Sequence, residues 1–132
     1  MTEILMAKTR LLQQVLSDLS LHLGKSRDEL EKLHYELERQ VQLSVDLCLD
    51  LSRHMLIKKG VVVPGMSREV FVECANQQII SRELAKKLVN ATGLRNLIVH
   101  EYGVIDYDLF FGGLVDGYAT FLEFLNTFLA IA

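Results

Sequence analysis

The 132-residue sequence has no tryptophan, one proline and only two cysteines. With one proline and few runs in which apolar and polar residues alternate, the sequence favours helices over strands. Two cysteines are too few for a disulfide framework, and both Cys48 and Cys74 lie in apolar, helical sequence. We therefore expect buried, reduced thiols in a cytosolic protein.

The sequence also lacks an excess of basic charge, since its net charge is −3 and its pI is about 5.8. This balance excludes a broad nucleic-acid-binding face and leaves only a local RNA contact. The N-terminus lacks the pattern of a signal peptide, and no run reaches the roughly 18 apolar residues that cross a bilayer. These absences predict a soluble, cytoplasmic protein with no membrane partner.

Half of the residues are apolar, which indicates one packed domain over residues 1–132. Three- and four-residue apolar spacing and capping residues divide the chain into helices. The predicted helices run from about Glu3 to Leu23, Ser26 to Lys59, Ser67 to Asn76, Ser81 to Tyr102 and Asp106 to Ala130. The expected fold is therefore all-α, an up-and-down bundle of four to five helices.

The long second helix has a polar ridge along a surface that is otherwise apolar nearly all round. The ridge consists of residues four apart, namely Gln42, Asp46, Asp50 and His54. Apolar residues on every other side, concentrated in Leu43 to Leu51, suggest burial on more than one side and a homodimer. Asp50 and His54 are spaced to pair. They either line a cleft or orient catalytic groups, or they form a solvated or structural pair.

Polar side chains that are suited to catalysis or phosphate binding cluster in "LRNLIVHEY", residues 94–102. Arg95 and Tyr102, seven residues apart, share a helical face, while Asn96 and His100, four apart, are neighbours that can hydrogen-bond. An imidazole fixed by an amide suits proton transfer, and a guanidinium suits a phosphate. The alternative is a solvated helix edge, in which His100 is favoured by the negative end of the helix dipole.

The segment "RNLIVHEY" resembles the R-x4-6-H motif of the HEPN superfamily, in the R-x4-H-x-Y form typical of HepT-like ribonuclease toxins. These toxins are paired with a minimal nucleotidyltransferase antitoxin. The resemblance extends from about Leu37 to Leu125 and includes "ERQVQLSVDLCLDLSRHML" and "GVIDYDLFFGGL". It implies a helical homodimer with the Arg and His motifs in a cleft at or near the subunit interface.

The resemblance also implies a function. Arg95 and His100 are then the catalytic pair of a metal-independent endoribonuclease that needs no cofactor, and Asn96 supports the imidazole. Tyr102 matches the tyrosine to which the partner nucleotidyltransferase attaches AMP, a modification that blocks RNA entry. Asp50 and His54 occupy positions where relatives commonly have an acid and a histidine.

Two other function classes are compatible with the residues to different degrees. A non-catalytic HEPN module would use Arg95 and His100 to bind a nucleotide or RNA and would act through its partner. A metal-binding bundle is disfavoured, because the sequence has no CxxC and no HxxE or ExxH pair on a strongly apolar face. His22 and His34 are expected to be surface residues.

Overall fold

The computed structural model describes residues 1–99 and 104–131. These residues contain seven α-helices and no β-strand, which confirms the all-α prediction. The helices are α1 (Glu3–Ser20), α2 (Arg27–Lys32), α3 (His34–Lys58), α4 (Ser67–Asn76), α5 (Arg82–Val99), α6 (Tyr107–Gly112) and α7 (Leu114–Ile131).

Helices α1, α3, α5 and α7 form an up-and-down bundle. Lys8 lies 3.1 Å from Asp50 and His22 lies 3.3 Å from Glu36, so α1 and α3 run in opposite directions. Lys87 of α5 lies 3.2 Å from Glu123 of α7, and Leu94 packs against Gly113 and Gly117, so α5 and α7 also run in opposite directions. The carboxyl ends of α3 and α7 line the same groove, so α5 is antiparallel to α3 as well. Helix α4 packs on α3 and α5, and the short helices α2 and α6 lie at the end of the bundle where α5 ends.

Two predicted helices are each interrupted by a single residue, and this raises the number of helices to seven. Leu33 separates α2 from α3, and its N–H bonds the carbonyl of Leu30, three residues back, at 3.0 Å. Gly113 separates α6 from α7. Leucine is a good helix former, so the residue type at position 33 does not predict a break between α2 and α3. Five helices of ten or more residues remain, in line with the predicted bundle.

Most local stop and start signals are where the sequence places them. Ser26 and Glu29 form a capping box, the Ser81 hydroxyl accepts from the Leu84 N–H at 3.0 Å, and Asp106 caps α6. The cap predicted at Ser67 is wrong. Helix α4 already includes Ser67, and the residue before it is Met66, which makes no side-chain cap bond.

The apolar segment of α3 is covered within one chain. Leu47, Leu49 and Leu51 are at most 5% exposed and belong to the main core with residues of α1, α4, α5 and α7. Only Leu43 in this set is half-exposed. The inference that this segment needs a second copy to cover it is therefore wrong, because α3 has neighbours on several sides.

Helix α7 is the one helix in the described ranges that is long and apolar enough to cross a membrane by length and composition. Its 18 residues have a mean hydropathy of 1.2, and 39% of them are buried. A core helix of a water-soluble bundle meets the same criterion. The buried residues of α7 form one face that packs into the bundle, namely Leu114, Gly117, Thr120, Phe121, Phe124, Leu125 and Phe128.

Helices α5 and α7 approach closely at two glycines. A Cβ atom at Gly113 would lie 2.6 Å from Leu94 Cδ2, and one at Gly117 would lie 3.0 Å from Leu94 Cδ1. The leucine side chain thus occupies the space that these glycines leave free. Gly93, by contrast, is exposed, and a Cβ there meets no described atom within 4 Å, so it is not the site of close contact.

Replacing Gly93 by alanine is expected to raise the free energy of unfolding by up to about 1 kcal/mol, because alanine has the higher helix propensity and the site is open. The same change at Gly113 is expected to lower it by about 1–3 kcal/mol, because the methyl group would collide with Leu94. Urea denaturation at one protein concentration measures both. Shifts of the same sign would contradict the close packing at Gly113.

Candidate functional site

Arg95 occupies a core position of α5. The inward row of this helix consists of Leu84, Leu88 and Ala91, each at most 5% exposed. These residues are spaced by four and three, and Arg95 follows four residues later on the same face. Its side chain is only 17% exposed. A guanidinium in place of an aliphatic side chain is costly unless it is paired, so the position needs a partner.

That partner is Asp46 on α3. Arg95 Nη1 donates to Asp46 Oδ1 at 3.0 Å, and the two groups form an ion pair. Asp46 belongs to the polar ridge that the sequence shows, but spacing along one helix does not select which ridge residue faces α5. The sequence thus identified Asp46 as a polar residue of this helix, but it did not predict that Asp46 pairs with Arg95.

The ion pair lies at the boundary between core and solvent. The Asp46 side chain is 45% exposed, whereas Arg95 Nε is buried and has no hydrogen-bond partner among the residues that the structure describes. Asp46 therefore holds one edge of the guanidinium while the group keeps further N–H donors. An arginine held in this way can bind a phosphate oxygen, because a guanidinium offers charged N–H donors in a fixed planar arrangement.

The other residues of the predicted motif are placed as follows. Asn96 is exposed, and it is one residue, or about 100°, away from the inward row that contains Arg95. His100 and Tyr102 lie outside the described residues. The predicted contacts of Asn96 with His100 and of Tyr102 with the Arg95 face remain predictions.

Asp50 and His54 lie further along the ridge. Asp50 Oδ2 is 3.1 Å from Lys8 Nζ, and its Oδ1 is 3.4 Å from Arg53 Nη1. His54 lines a groove of about 440 Å³ near the ends of α1, α3 and α7. It stands eight residues from Asp46, or about 12 Å along the helix. The structure brings Asp46 to Arg95, whereas a role of Asp50 and His54 in the cleft remains a prediction.

A second polar cluster joins α3 to α6 and was missed by sequence reasoning. His34 Nδ1 lies 2.7 Å from Glu38 Oε2, and the Tyr107 hydroxyl lies 2.9 Å from the same oxygen. Burial, together with the bond to Glu38, raises the pKa of Tyr107 to about 12. His34 is therefore a half-buried, partnered residue rather than the surface residue that was expected. The same holds for His22, whose side chain is 12% exposed and paired with Glu36.

Neither thiol of the chain belongs to these clusters. Cys48 and Cys74 are buried and free, as expected, and burial raises the pKa of Cys74 to about 11 and that of Cys48 further. Both thiols are thus protonated and unreactive at neutral pH. In the described part of the chain, no group of three or more His, Cys, Asp or Glu residues is arranged to hold a metal ion.

Comparison with known proteins identifies relatives for most of the chain. A family model described as "Ribonuclease HepT-like" matches residues 12–128. A tRNA nuclease HepT of Aphanizomenon flos-aquae is 33% identical over 95 residues, or 70% of this chain. An mRNA nuclease HepT of Shewanella oneidensis is 29% identical over 69 residues, or 52% of this chain. The matches span 65% and 52% of the lengths of these two relatives.

Solved structures show the same fold. One is a tri-AMPylated HEPN toxin of Shewanella oneidensis in complex with MNT antitoxin, with a TM-score of 0.87 and 21% identity over 98% of this chain and 99% of that one. Another is a toxin–antitoxin, MntA–HpeT, with one tyrosine replaced by alanine. It has a TM-score of 0.84 and 20% identity over 97% of this chain and 99% of that one. At this identity the likeness is one of fold.

Replacing Asp46 by alanine is expected to lower the free energy of unfolding by about 1 kcal/mol, because it removes the observed partner of a largely buried guanidinium. Asp46→Asn keeps an oxygen acceptor and should cost less. Asp50→Ala is the matched control, and it should change stability by no more than about 0.5 kcal/mol because its partners are more exposed. Equal losses in Asp46→Ala and Asp50→Ala, read by urea denaturation, would refute a special role of the Arg95 pair.

Proposed function

The chain belongs to the HepT-like family, and on that premise we propose that it is a metal-independent endoribonuclease, the toxin of a toxin–antitoxin pair in the cytoplasm. The observation that supports this most is the guanidinium of Arg95 in the core row of α5, paired with Asp46. A purely structural position in that row would be filled by an aliphatic side chain at lower cost. A need for fixed positive charge at this position would explain the arginine.

The proposed reaction is cleavage of RNA by its own 2′-hydroxyl. His100, as a neutral imidazole, takes the proton from the hydroxyl, and the 2′-oxygen attacks the adjacent phosphorus. Arg95 stabilises the extra negative charge on the pentacoordinate phosphorus. The bond to the 5′-oxygen then breaks as that oxygen gains a proton, and a 2′,3′-cyclic phosphate remains. Asn96 orients the imidazole in this proposal.

Asp46 takes a supporting role in this scheme. Its carboxylate holds one edge of Arg95 at 3.0 Å and limits the rotamers that the long side chain can adopt. Preorganised charge stabilises a transition state better than charge that must first reorient. Asp46 is thus a positioning residue, and the phosphate would bind the guanidinium donors that Asp46 leaves free.

The proposed partner is a minimal nucleotidyltransferase antitoxin. The relative solved in complex with MNT antitoxin is tri-AMPylated, and Tyr102 is the tyrosine of the R-x4-H-x-Y motif in this chain. AMP on Tyr102 would place a negatively charged phosphate near Arg95, where it would compete with RNA. Silencing would then be electrostatic and steric and would need no change of fold.

The proposed homodimer is supported by exposed apolar residues on the outer face of α7. Val115 and Leu129 on α7 are 59% and 41% exposed, and they lie seven residues either side of the half-buried Leu122. Residues at this spacing form one apolar row along the outer face of α7, which suits contact with a second copy. The row is on α7, whereas Arg95 faces α3. A cleft shared between copies, as the resemblance implies, remains a prediction.

Purified protein is expected to cleave RNA in the presence of EDTA and to leave 2′,3′-cyclic phosphate ends. Arg95→Ala and His100→Ala should lower the rate by at least about 100-fold, because each removes a group that acts in the transition state. Arg68→Ala, which removes an exposed arginine of α4, is the control and should keep the wild-type rate. Gel analysis of labelled RNA gives the rates, and circular dichroism checks the fold.

Binding without cleavage would instead support the alternative, a non-catalytic nucleotide- or RNA-binding module. In that case labelled RNA shifts in a native gel with wild-type protein and stays intact. Full activity in His100→Ala would remove this residue from the mechanism. Activity that disappears with EDTA and returns with a divalent ion would overturn metal independence.

Incubation with the cognate nucleotidyltransferase, ATP and Mg²⁺ is expected to add one or more AMP units to the wild-type chain. The Tyr102→Phe chain is expected to receive none. Tyr102→Phe should keep much of the nuclease activity and escape silencing, because it lacks only the acceptor oxygen. Tyr35→Phe changes a tyrosine that is 77% exposed and should still be modified. Intact-mass spectrometry gives the outcome, and equal modification of all three chains would exclude Tyr102 as the site.

A further inference from the structure

The segment between α5 and α6 contains His100 and Tyr102. The helices on either side of it, α5 and α6, are both fixed to the bundle. The α5 flank is fixed twice, by the Arg95 ion pair with Asp46 and by Leu94 packed against Gly113 and Gly117. The two contacts tie the end of α5 to α3 and to α7.

The α6 flank is fixed by Tyr107, the first residue of that helix. Its hydroxyl donates to Glu38 Oε2 at 2.9 Å and lies 3.0 Å from His34 Nδ1. Glu38 is only 12% exposed, so both of its donors meet it away from bulk solvent. A phenol bound to a shielded carboxylate forms a stronger bond than one that faces water. This contact joins α6 to α3, the same helix that provides Asp46.

The remaining contacts of α6 hold it from another side. Arg27 of α2 pairs with the exposed Asp108, and its guanidinium lies 5.1 Å from the centre of the Phe111 ring. The Tyr107 ring itself stacks on Phe111 with 5.2 Å between centroids. These contacts secure the body of α6 through packing and do not use the Tyr107 hydroxyl. The hydroxyl can therefore be removed while the helix stays packed.

We propose that Tyr107 is a positioning residue: its hydroxyl bond to Glu38, supported by His34, fixes the start of α6 on α3, and this helix follows directly on the segment that contains His100 and Tyr102. The inference rests on the proposed function for its effect on catalysis. Its structural half does not depend on that function. The helices on both sides of the segment are thus anchored to α3, α5 through Asp46 and α6 through Glu38. These two anchors are eight residues, or about 12 Å, apart along α3.

The test compares Tyr107→Phe with Tyr35→Phe. Tyr107→Phe removes the hydroxyl and keeps the ring that stacks on Phe111, while Tyr35→Phe removes an exposed hydroxyl from the residue beside His34. In RNA cleavage, Tyr107→Phe is expected to lower kcat about tenfold and to leave KM within about twofold, because misplacement of a base affects the transition state more than substrate binding. Tyr35→Phe should keep both constants.

Variants at Glu38 separate positioning from general stability. Glu38→Gln retains an oxygen that can accept from Tyr107 and should keep most of kcat, whereas Glu38→Ala should match Tyr107→Phe. The double variant of Tyr107→Phe with Glu38→Ala should be no slower than either single variant, because both remove one interaction. Additive losses, or a wild-type kcat in Tyr107→Phe, would overturn the proposal.

A second measurement is independent of nuclease activity. Amide hydrogen exchange over residues 104–112 is expected to be at least about fivefold faster in Tyr107→Phe than in wild type, with exchange in α1 unchanged. Unchanged exchange over 104–112 would refute the anchoring role even if the wild type cleaves RNA. Faster exchange in Tyr107→Phe, together with a wild type that does not cleave RNA, would support the anchor and reject the proposed nuclease.

Discussion

The structure depends on one electrostatic constraint, the placement of a permanent positive charge at a core position of α5. A guanidinium stays charged inside a protein, so the bundle must supply a carboxylate at the point where α3 and α5 face each other. Asp46 provides it at 3.0 Å. The ion pair therefore fixes how α3 and α5 are aligned, because a shift of one helical turn would separate the charges by about 5 Å.

Helix α3 holds the partners of both Arg95 and Tyr107. Its 25 residues contain both Asp46, which holds Arg95, and Glu38, which holds Tyr107. The same helix supplies much of the core through leucines on several sides. Polar anchors on a helix that is so extensively packed are held rigidly, since interiors are close-packed and side chains there have little freedom. Both polar anchors and much of the core thus lie on one helix.

Close approach of α5 and α7 completes the arrangement. Gly113 both ends α6 and leaves room for Leu94, so a single residue serves a turn and a helix contact. The neighbouring Arg95 is thereby carried by a helix that is fixed on two sides. An arginine on a loosely packed helix would need to reorient for each phosphate, and its charge would contribute less to catalysis.

Local features of the sequence determined the composition of the fold: apolar spacing gave helices, and Ser26, Ser81 and Asp106 marked where three of them begin, because a cap needs only residues within one turn. The family motif likewise identified Arg95 as a candidate from sequence. Only the tertiary structure decided that Asp46, and not Asp50, faces Arg95, because both lie on the same ridge and periodicity treats them alike. It also decided the pairing of Tyr107 with Glu38, since this contact depends on how helices that are distant in sequence pack together.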